Sequence, residues 1–239
     1  MDNHEIKQAI DSSQKAQRNY DLSKSVTNEA LDLLIYAAIN APSKQNETHF
    51  SLNVYTHQSI IKQVYNETKK FTLGIEEVLD NEKGEEWLYD NRSVTNSQIL
   101  SNILFVYVDD EGEARGATHL IGQTDDSFEK ERRTFDEQKN YSVGISVGEL
   151  ILTANLLGYK TGICSAMNQD NVKNLLNLDK TPKLLVGVGI PNSQLERTQH
   201  SDVLNKDVPE QFRTGELDEH WKFPTFKKNT KVTINGIDS

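Results

Sequence analysis

Residues 141–162 read YSVGISVGELILTANLLGYKTG, and the fold turns on how the first half is taken. GISVG (144–148) satisfies G-x-S-x-G, which in some hydrolases holds a nucleophilic serine on a sharp turn between strand and helix. Such a turn needs a buried strand directly before the serine. The residues before Gly144, RRTFDEQKNYSV (132–143), are charged and do not alternate. Val143, Val147, Leu150, Ala154 and Leu157 instead recur at helical spacing, and Gly158 is placed to cap the helix. A helix through this stretch puts Gly144 and Gly148 on one face. Each glycine costs about 1 kcal/mol against alanine inside a helix, so a packing role is expected for the pair. The hydrolase reading, with Ser146 as nucleophile and an acid and base drawn from Asp170, Asp179 and His200, stays as an alternative.

Outward from this helix the chain alternates between helical and extended patterns. TNEALDLLIYAAINAPS (27–43) predicts a helix with Thr27 as N-cap and Leu31, Leu34, Ile35 and Ala38 on one face, ended by Pro42. SLNVYT (51–56) alternates as a half-buried strand, and QSIIKQVYNETKKF (58–71) predicts a second helix. GIEEVLDNEKGEEWLYDNRS (74–93) is polar and reads as a surface excursion or lid. NILFVYVDD (102–110) is a continuous apolar run, the pattern of a strand covered on both faces. Residues 111–140 are charged and interrupted by glycine, and are expected to cross the surface. TGICSAM (161–167) is a short strand or turn, NQDNVKNLLNL (168–178) a helix, and KLLVGVGIP (183–191) a buried strand ended by Pro191. Helices interleave with about four strands without a clean βαβ alternation, so the class is α+β rather than doubly wound.

Composition narrows the function. The 239-residue chain carries a net charge of −10 and has no basic stripe, which argues against nucleic acid as a partner. Its one cysteine, Cys164, excludes an intrachain disulfide and a Cys/His metal cluster built around it. The N-terminus is polar and no apolar run approaches the length of a membrane span, so neither a secretory signal nor a membrane segment is expected and the cytoplasm is favoured. The hydrophobic content of 36% is low for this size. Part of the chain is then tail, or is buried against another subunit; Asn192–Ser239, with Phe212, Trp221, Phe223 and Phe226 scattered through it, fits that description.

Five pieces in order give a sharper pointer. RNYD (18–21) is followed about twenty residues on by a helix closing in APSKQNETHFSL (41–52). TNSQILSNILFVYV (95–108) places a polar turn before a central strand. GISVGELILTANLLGYKTGICSAM (144–167) joins a small-residue helix to a short strand, and VGVGIPNSQLER (186–197) ends a strand with a basic residue shortly after. Together these resemble the nitroreductase family of flavin enzymes over roughly residues 10–205.

The resemblance implies an α+β nitroreductase-like fold, with a central, mainly antiparallel sheet flanked by helices, in an intertwined homodimer. It implies a domain over residues 1–205 and a C-terminal extension, 206–239, that packs on the partner subunit. It implies FMN at the subunit interface, NADH or NADPH as reductant, and a ping-pong reaction in which hydride passes to flavin N5 and on to a nitroaromatic, quinone or related small acceptor. No side chain need act as an essential acid or base, and no metal is implied. Carried over position by position, Arg18 lies near the flavin pyrimidine and ribityl chain, flanked by Gln17. Ser43, Lys44 and Asn46 belong to the loop that reaches the flavin, often from the second subunit. Asn96 and Gln98 lie near the isoalloxazine edge, Ser165 and Ala166 present backbone N–H groups toward N5 and O4, and Arg197 pairs with the phosphate. The chain departs from the family where an arginine and a serine usually precede Arg18. Gln14 and Ala16 stand there, and Lys15 is the candidate to take over the phosphate. The usual Gln-Pro-Trp of the loop is Thr48-His49-Phe50. A flavin-binding or flavin-processing protein without NAD(P)H turnover is the alternative within the same resemblance.

Overall fold

The computed structural model describes residues 2–14, 16–43, 46, 48–69, 96–109 and 125–192. Strands β1 (Phe50–Tyr55), β2 (Ile103–Asp109), β3 (Lys160–Cys164) and β4 (Pro182–Gly189) form one sheet in the order β1-β2-β4-β3, with every neighbouring pair antiparallel. The central position predicted for 102–110 is observed: Ile103 to Val108 are all buried. Alternate residues of β2 and β4 feed two cores. Ile103, Phe105, Tyr107, Val186 and Val188 pack under helices α2 (Asn28–Ile39) and α4 (Asp125–Leu156). Leu104, Val106, Val108 and Leu185 face the other way, against α3 (Gln58–Lys69) and α5 (Gln169–Leu175). The result is three layers, helix–sheet–helix, consistent with the α+β class.

Local chemistry sets the helix ends. Thr27 caps α2, its hydroxyl accepting from the Ala30 amide at 3.2 Å, and Leu34 and Ala38 are fully buried. Helix α1 (Asn3–Ser13), which the sequence reading did not assign, opens on a capping box. The Asp2 carboxylate accepts from the His4 and Glu5 amides while the Glu5 carboxylate accepts from the Asp2 amide. Helix α4 ends in a Schellman motif: Gly158 sits at φ +85°, the Tyr159 amide donates to Ala154 O at 2.8 Å and the Gly158 amide to Asn155 O at 3.1 Å.

Two expectations are corrected on α4. Residues 125–140 do not cross the surface as irregular chain; they are the first half of a 32-residue helix. The last glycine of that charged stretch is Gly122, and beyond it Glu, Lys, Arg and Gln predominate, all good helix formers. Leu157 is not on the buried helical stripe. It lies in the capping turn just after the last helical residue, Leu156, and is exposed. The excursion 74–93, residues 111–124 and the tail with Phe212, Trp221, Phe223 and Phe226 lie outside the described residues, as does the proposed extension 206–239. Among the described residues no helix is long and apolar enough to cross a membrane.

Candidate functional site

The segment Gln17–Asp21 is irregular in itself and is stitched to the end of the sheet. The Gln17 amide donates to Thr161 O at 2.7 Å, the Asp21 amide to Ile190 O at 2.8 Å and the Asn192 amide to Asn19 O at 3.1 Å. Asn102 completes the seam. Its amide group donates to Asp21 O and Lys24 O at 2.9 and 2.7 Å, and its carbonyl accepts from the Ile190 amide at 2.9 Å. Three bonds from one buried side chain fix the loop against the strand ends, a role the sequence reading missed.

This seam holds Arg18 in a buried position, 9% exposed. Its Nη1 donates to Gln98 Oε1 at 2.6 Å, and Gln98 Nε2 donates onward to Ile163 O in β3 at 3.2 Å. Two residues assigned from motifs eighty positions apart therefore meet. The guanidinium also stands beside Tyr20, whose phenol is pushed up by burial against the pull of Arg18, and close enough to Cys164 to lower its thiol. Burial outweighs that effect and raises the Cys164 thiol to about 11, so it is a neutral core group. Gln17 does not present its amide outward: the side chain folds back to donate to Asn19 O.

Beyond Gln98 the site opens along the end of β3. Ser165 is exposed and Ala166 half-buried, and their backbone N–H groups take no acceptor among the described residues. Asn96 does not point into this space. Its amide donates to Thr68 O at 3.0 Å and its carbonyl faces Cys164 Sγ at 3.7 Å, which makes it a clamp between the end of α3 and β3. Its neighbour Ser97, which the sequence reading did not single out, has a buried hydroxyl with no hydrogen-bond partner among the described residues, as has Ser43. Buried hydroxyls are rarely left unpaired, so both are candidate donors to a bound molecule. No cue in the residues flanking Ser97 marks it; burial of the hydroxyl is a tertiary property.

Ser43 and Asn46 stand elsewhere. Asn46 adopts φ 60° in a tight turn and its amide donates to Ser43 O at 3.1 Å. This turn follows α2, which packs on the α4 face of the sheet, whereas Gln98 lies on the opposite face over Gly162 and Gly187. The turn also feeds into Phe50, opposite Asp109, while Gly187 is opposite Leu104. Five residues along a strand is about 17 Å at ~3.4 Å per residue. The elements that lead to Ser43 and to Gln98 thus pack on opposite faces of the sheet. Lys15, Lys44 and Arg197 lie outside the described residues.

Ser146 is 0% exposed. Its hydroxyl donates to Ala38 O at 2.6 Å and meets Tyr107 Oη at 3.0 Å, in mid-helix with no strand before it. No described histidine or carboxylate bonds to it, so the elbow geometry is not formed.

The sequence profile described as "Nitroreductase family" matches residues 13–190. The chain belongs to the nitroreductase family. Solved structures of this nitroreductase fold include a nitroreductase family protein from Clostridium novyi NT (17% identity, 84% of this chain and 91% of that chain, TM-score 0.54). A BluB-like flavoprotein from Clostridium difficile 630 is similar at 16% identity over 83% and 94%, with a TM-score of 0.60. The FMN-dependent nitroreductase NfnB from Mycobacterium smegmatis, solved in complex with NADPH, is similar at 10% identity over 84% and 97%, with a TM-score of 0.55. At these identities the likeness concerns the fold. No curated protein sequence matches this nitroreductase family member.

Proposed function

We propose that this nitroreductase family member is an FMN-dependent oxidoreductase that draws on NADH or NADPH by a ping-pong cycle and reduces a nitroaromatic, quinone or related small acceptor. The observation that carries the reading is the Arg18–Gln98 pair, a buried and oriented cation beside the unpaired amides at the end of β3. The residues fit FMN. A planar acceptor-rich ring can take the Ser165 and Ala166 N–H groups at one edge and the Arg18 guanidinium at another, and the orphaned Ser43 and Ser97 hydroxyls supply further donors. When bound, FMN supplies the redox chemistry. Arg18 stabilises negative charge at the pyrimidine end of the ring, the β3 amides orient it, and Lys15 and Arg197 are assigned to the phosphate. Asn96 contributes by holding the turn that carries Gln98 and Ser97.

We assign Ser43, Lys44 and Asn46 to the ring held by a second copy of the chain. The outer face of α2 and α4 is the surface we assign to that contact. Leu33, Tyr36, Tyr141, Ile145 and Leu152 are exposed on it, Tyr36 and Tyr141 by 65% and 62%. A Cβ built at Gly144 or Gly148 meets nothing within 4 Å among the described residues, so both leave room for an approaching backbone. We assign residues 206–239 to an extension along the partner, and the dimer to the cytoplasm, where both nicotinamides are available. The purified protein should be yellow, elute at twice the chain mass, and bleach anaerobically with NADH or NADPH. Bound FMN that neither nicotinamide reduces would favour the flavin-processing alternative. A protein that stays colourless when FMN is supplied would refute both.

A further inference from the structure

We infer that an open cavity between α1 and the start of β3 binds a small hydroxylated monocarboxylate through Lys160, independently of the flavin reading above. The cavity has a volume of about 490 Å³ and lies under one stripe of α1 formed by Glu5, Gln8, Ala9 and Ser12. Their i, i+3, i+4, i+7 spacing is that of a helix face turned to the protein body, a face that is normally apolar. Here only Ala9 is apolar, while Ile6 and Ile10 of the same helix stand 39% and 45% exposed. Polar residues at inward positions break the rule that packing follows, and such breaks are expected where a site is built. Asn155 and Leu156 near the end of α4 and Lys160 at the start of β3 form the opposite wall.

The half-buried Nζ of Lys160 donates to Ser12 Oγ and to Asn155 Oδ1, the latter at 3.4 Å. Asn155 is itself buried, and its amino group donates to Ile151 O at 2.9 Å, which turns the carbonyl oxygen to the lysine. Both acceptors are neutral. No carboxylate among the described residues pairs with the ammonium, and burial pulls its pKa below the ordinary lysine value. A partly desolvated cation without a counter-charge is costly, and an ammonium with three donors has one left for a ligand. The Glu5 carboxylate, which accepts from the Asp2 amide at 2.8 Å, lines the same space and repels a second negative charge. A monoanion is therefore favoured over a phosphate dianion, and Gln8, Ser12 and Asn155 suit hydroxyl groups better than hydrocarbon. Lys160 is separated from Ser165 by the length of β3, about 17 Å at ~3.3 Å per residue, so this cavity is distinct from the amides assigned to the flavin.

The test is a saturation-transfer NMR titration of the full-length protein with gluconate, with sorbitol as its uncharged counterpart and inorganic phosphate as competitor. Gluconate should give a saturable signal that sorbitol does not, and phosphate at the same concentration should displace it poorly. Lys160→Met should weaken gluconate at least about tenfold, the scale of one charge-assisted hydrogen bond. No saturable signal from gluconate, sorbitol binding as tightly as gluconate, phosphate binding more tightly than gluconate, or unchanged affinity in Lys160→Met would each overturn the inference. Should Lys160→Met fail to fold, Gln8→Trp replaces it. Gln8 is exposed at the rim, so the larger side chain blocks the cavity and leaves Lys160 and its two partners in place. Loss of gluconate binding in that variant supports the site, and unchanged binding overturns it. In protein carrying FMN the visible spectrum should stay constant through the titration. A spectral change that tracks gluconate binding would place the ligand at the flavin, overturning this inference while leaving the flavin reading intact. Protein without FMN should bind gluconate equally, so failure of the flavin reading leaves the cavity's test unaffected.

Discussion

Ser146→Ala separates the two meanings of GISVG. Ser146 Oγ donates to Ala38 O at 2.6 Å near the end of α2. The helical donor to that carbonyl would be residue 42, and Pro42 has no N–H. The hydroxyl therefore serves a carbonyl that the helix cannot, and it also meets Tyr107 Oη at 3.0 Å in the core. Removing it leaves two buried polar groups short of a partner, at about 1–3 kcal/mol each. The desolvation cost of the lost hydroxyl offsets roughly 1 kcal/mol of this. A net loss of about 3 kcal/mol follows, which for a chain of this length lowers the melting temperature by roughly 6–12 °C. Thermal unfolding of FMN-loaded wild type and variant, at one protein concentration because binding and association shift the transition, measures it. Oxidation of NADH or NADPH below the transition should be nearly unchanged. Unaltered stability with abolished turnover, or labelling of native Ser146 by a fluorophosphonate, would refute this reasoning and restore the elbow.

Two further outcomes follow from the same geometry. Gly148→Leu adds a branched side chain where nothing among the described residues lies within 4 Å. The isolated fold should tolerate it, whereas light scattering should show monomer and the FMN absorbance should be lost on gel filtration. Cys164 should resist alkylation by iodoacetamide at pH 8 in the native protein and react once unfolded, because burial holds its thiol at about 11 instead of 9.0. The neutral thiol is the natively favoured form, so its contribution to stability is complete below pH 9 and lost as pH rises to about 11. A urea midpoint flat across that window would contradict the buried thiol.

Where apolar period and punctuation coincide, the fold was legible in the sequence. Thr27 and Pro42 bracket α2, Gly158 stops α4, and NILFVYVDD contains β2 at the centre of the sheet. Charge hid the rest. The first half of α4 lacks an apolar stripe clear enough to read, so helix-forming composition looked like surface crossing. Helix α1 was signalled by Asp2 and Glu5 at capping-box spacing and by a short apolar set, Ile6, Ala9 and Ile10, in a mostly polar stretch. At the site, motif order pointed to Arg18 and Gln98 together, but not to what they do to each other. Asn96 looked equivalent to Gln98 two positions on, yet one clamps Thr68 and the other carries the cation. Short polar side chains in a turn have no periodicity, so their direction is set by what packs on them.

The glycines make the same distinction physically. Gly162, Gly187 and Gly189 are required inside the protomer: a Cβ at each would run into Gln98, Ser101 or Asn102. The VGVG run of β4 and the glycine of β3 are thus the floor on which the 97–102 turn rests. Side chains there would lift Gln98 from Ile163 and loosen the Asn102 seam that fixes Arg18. Gly144 and Gly148 meet nothing within 4 Å among the described residues. In sequence the two sets look alike, as glycines inside regular elements. The structure divides them: one set builds the cation's platform within a chain, and the other lies open on the face toward which a second chain would have to carry Ser43. A flavin site needing Arg18 and Ser43 together would depend on both sets at once. Substitutions as distant as Gly148 and Gly187 would then share a phenotype, loss of FMN, while only the first would be accompanied by loss of the dimer with the protomer fold retained.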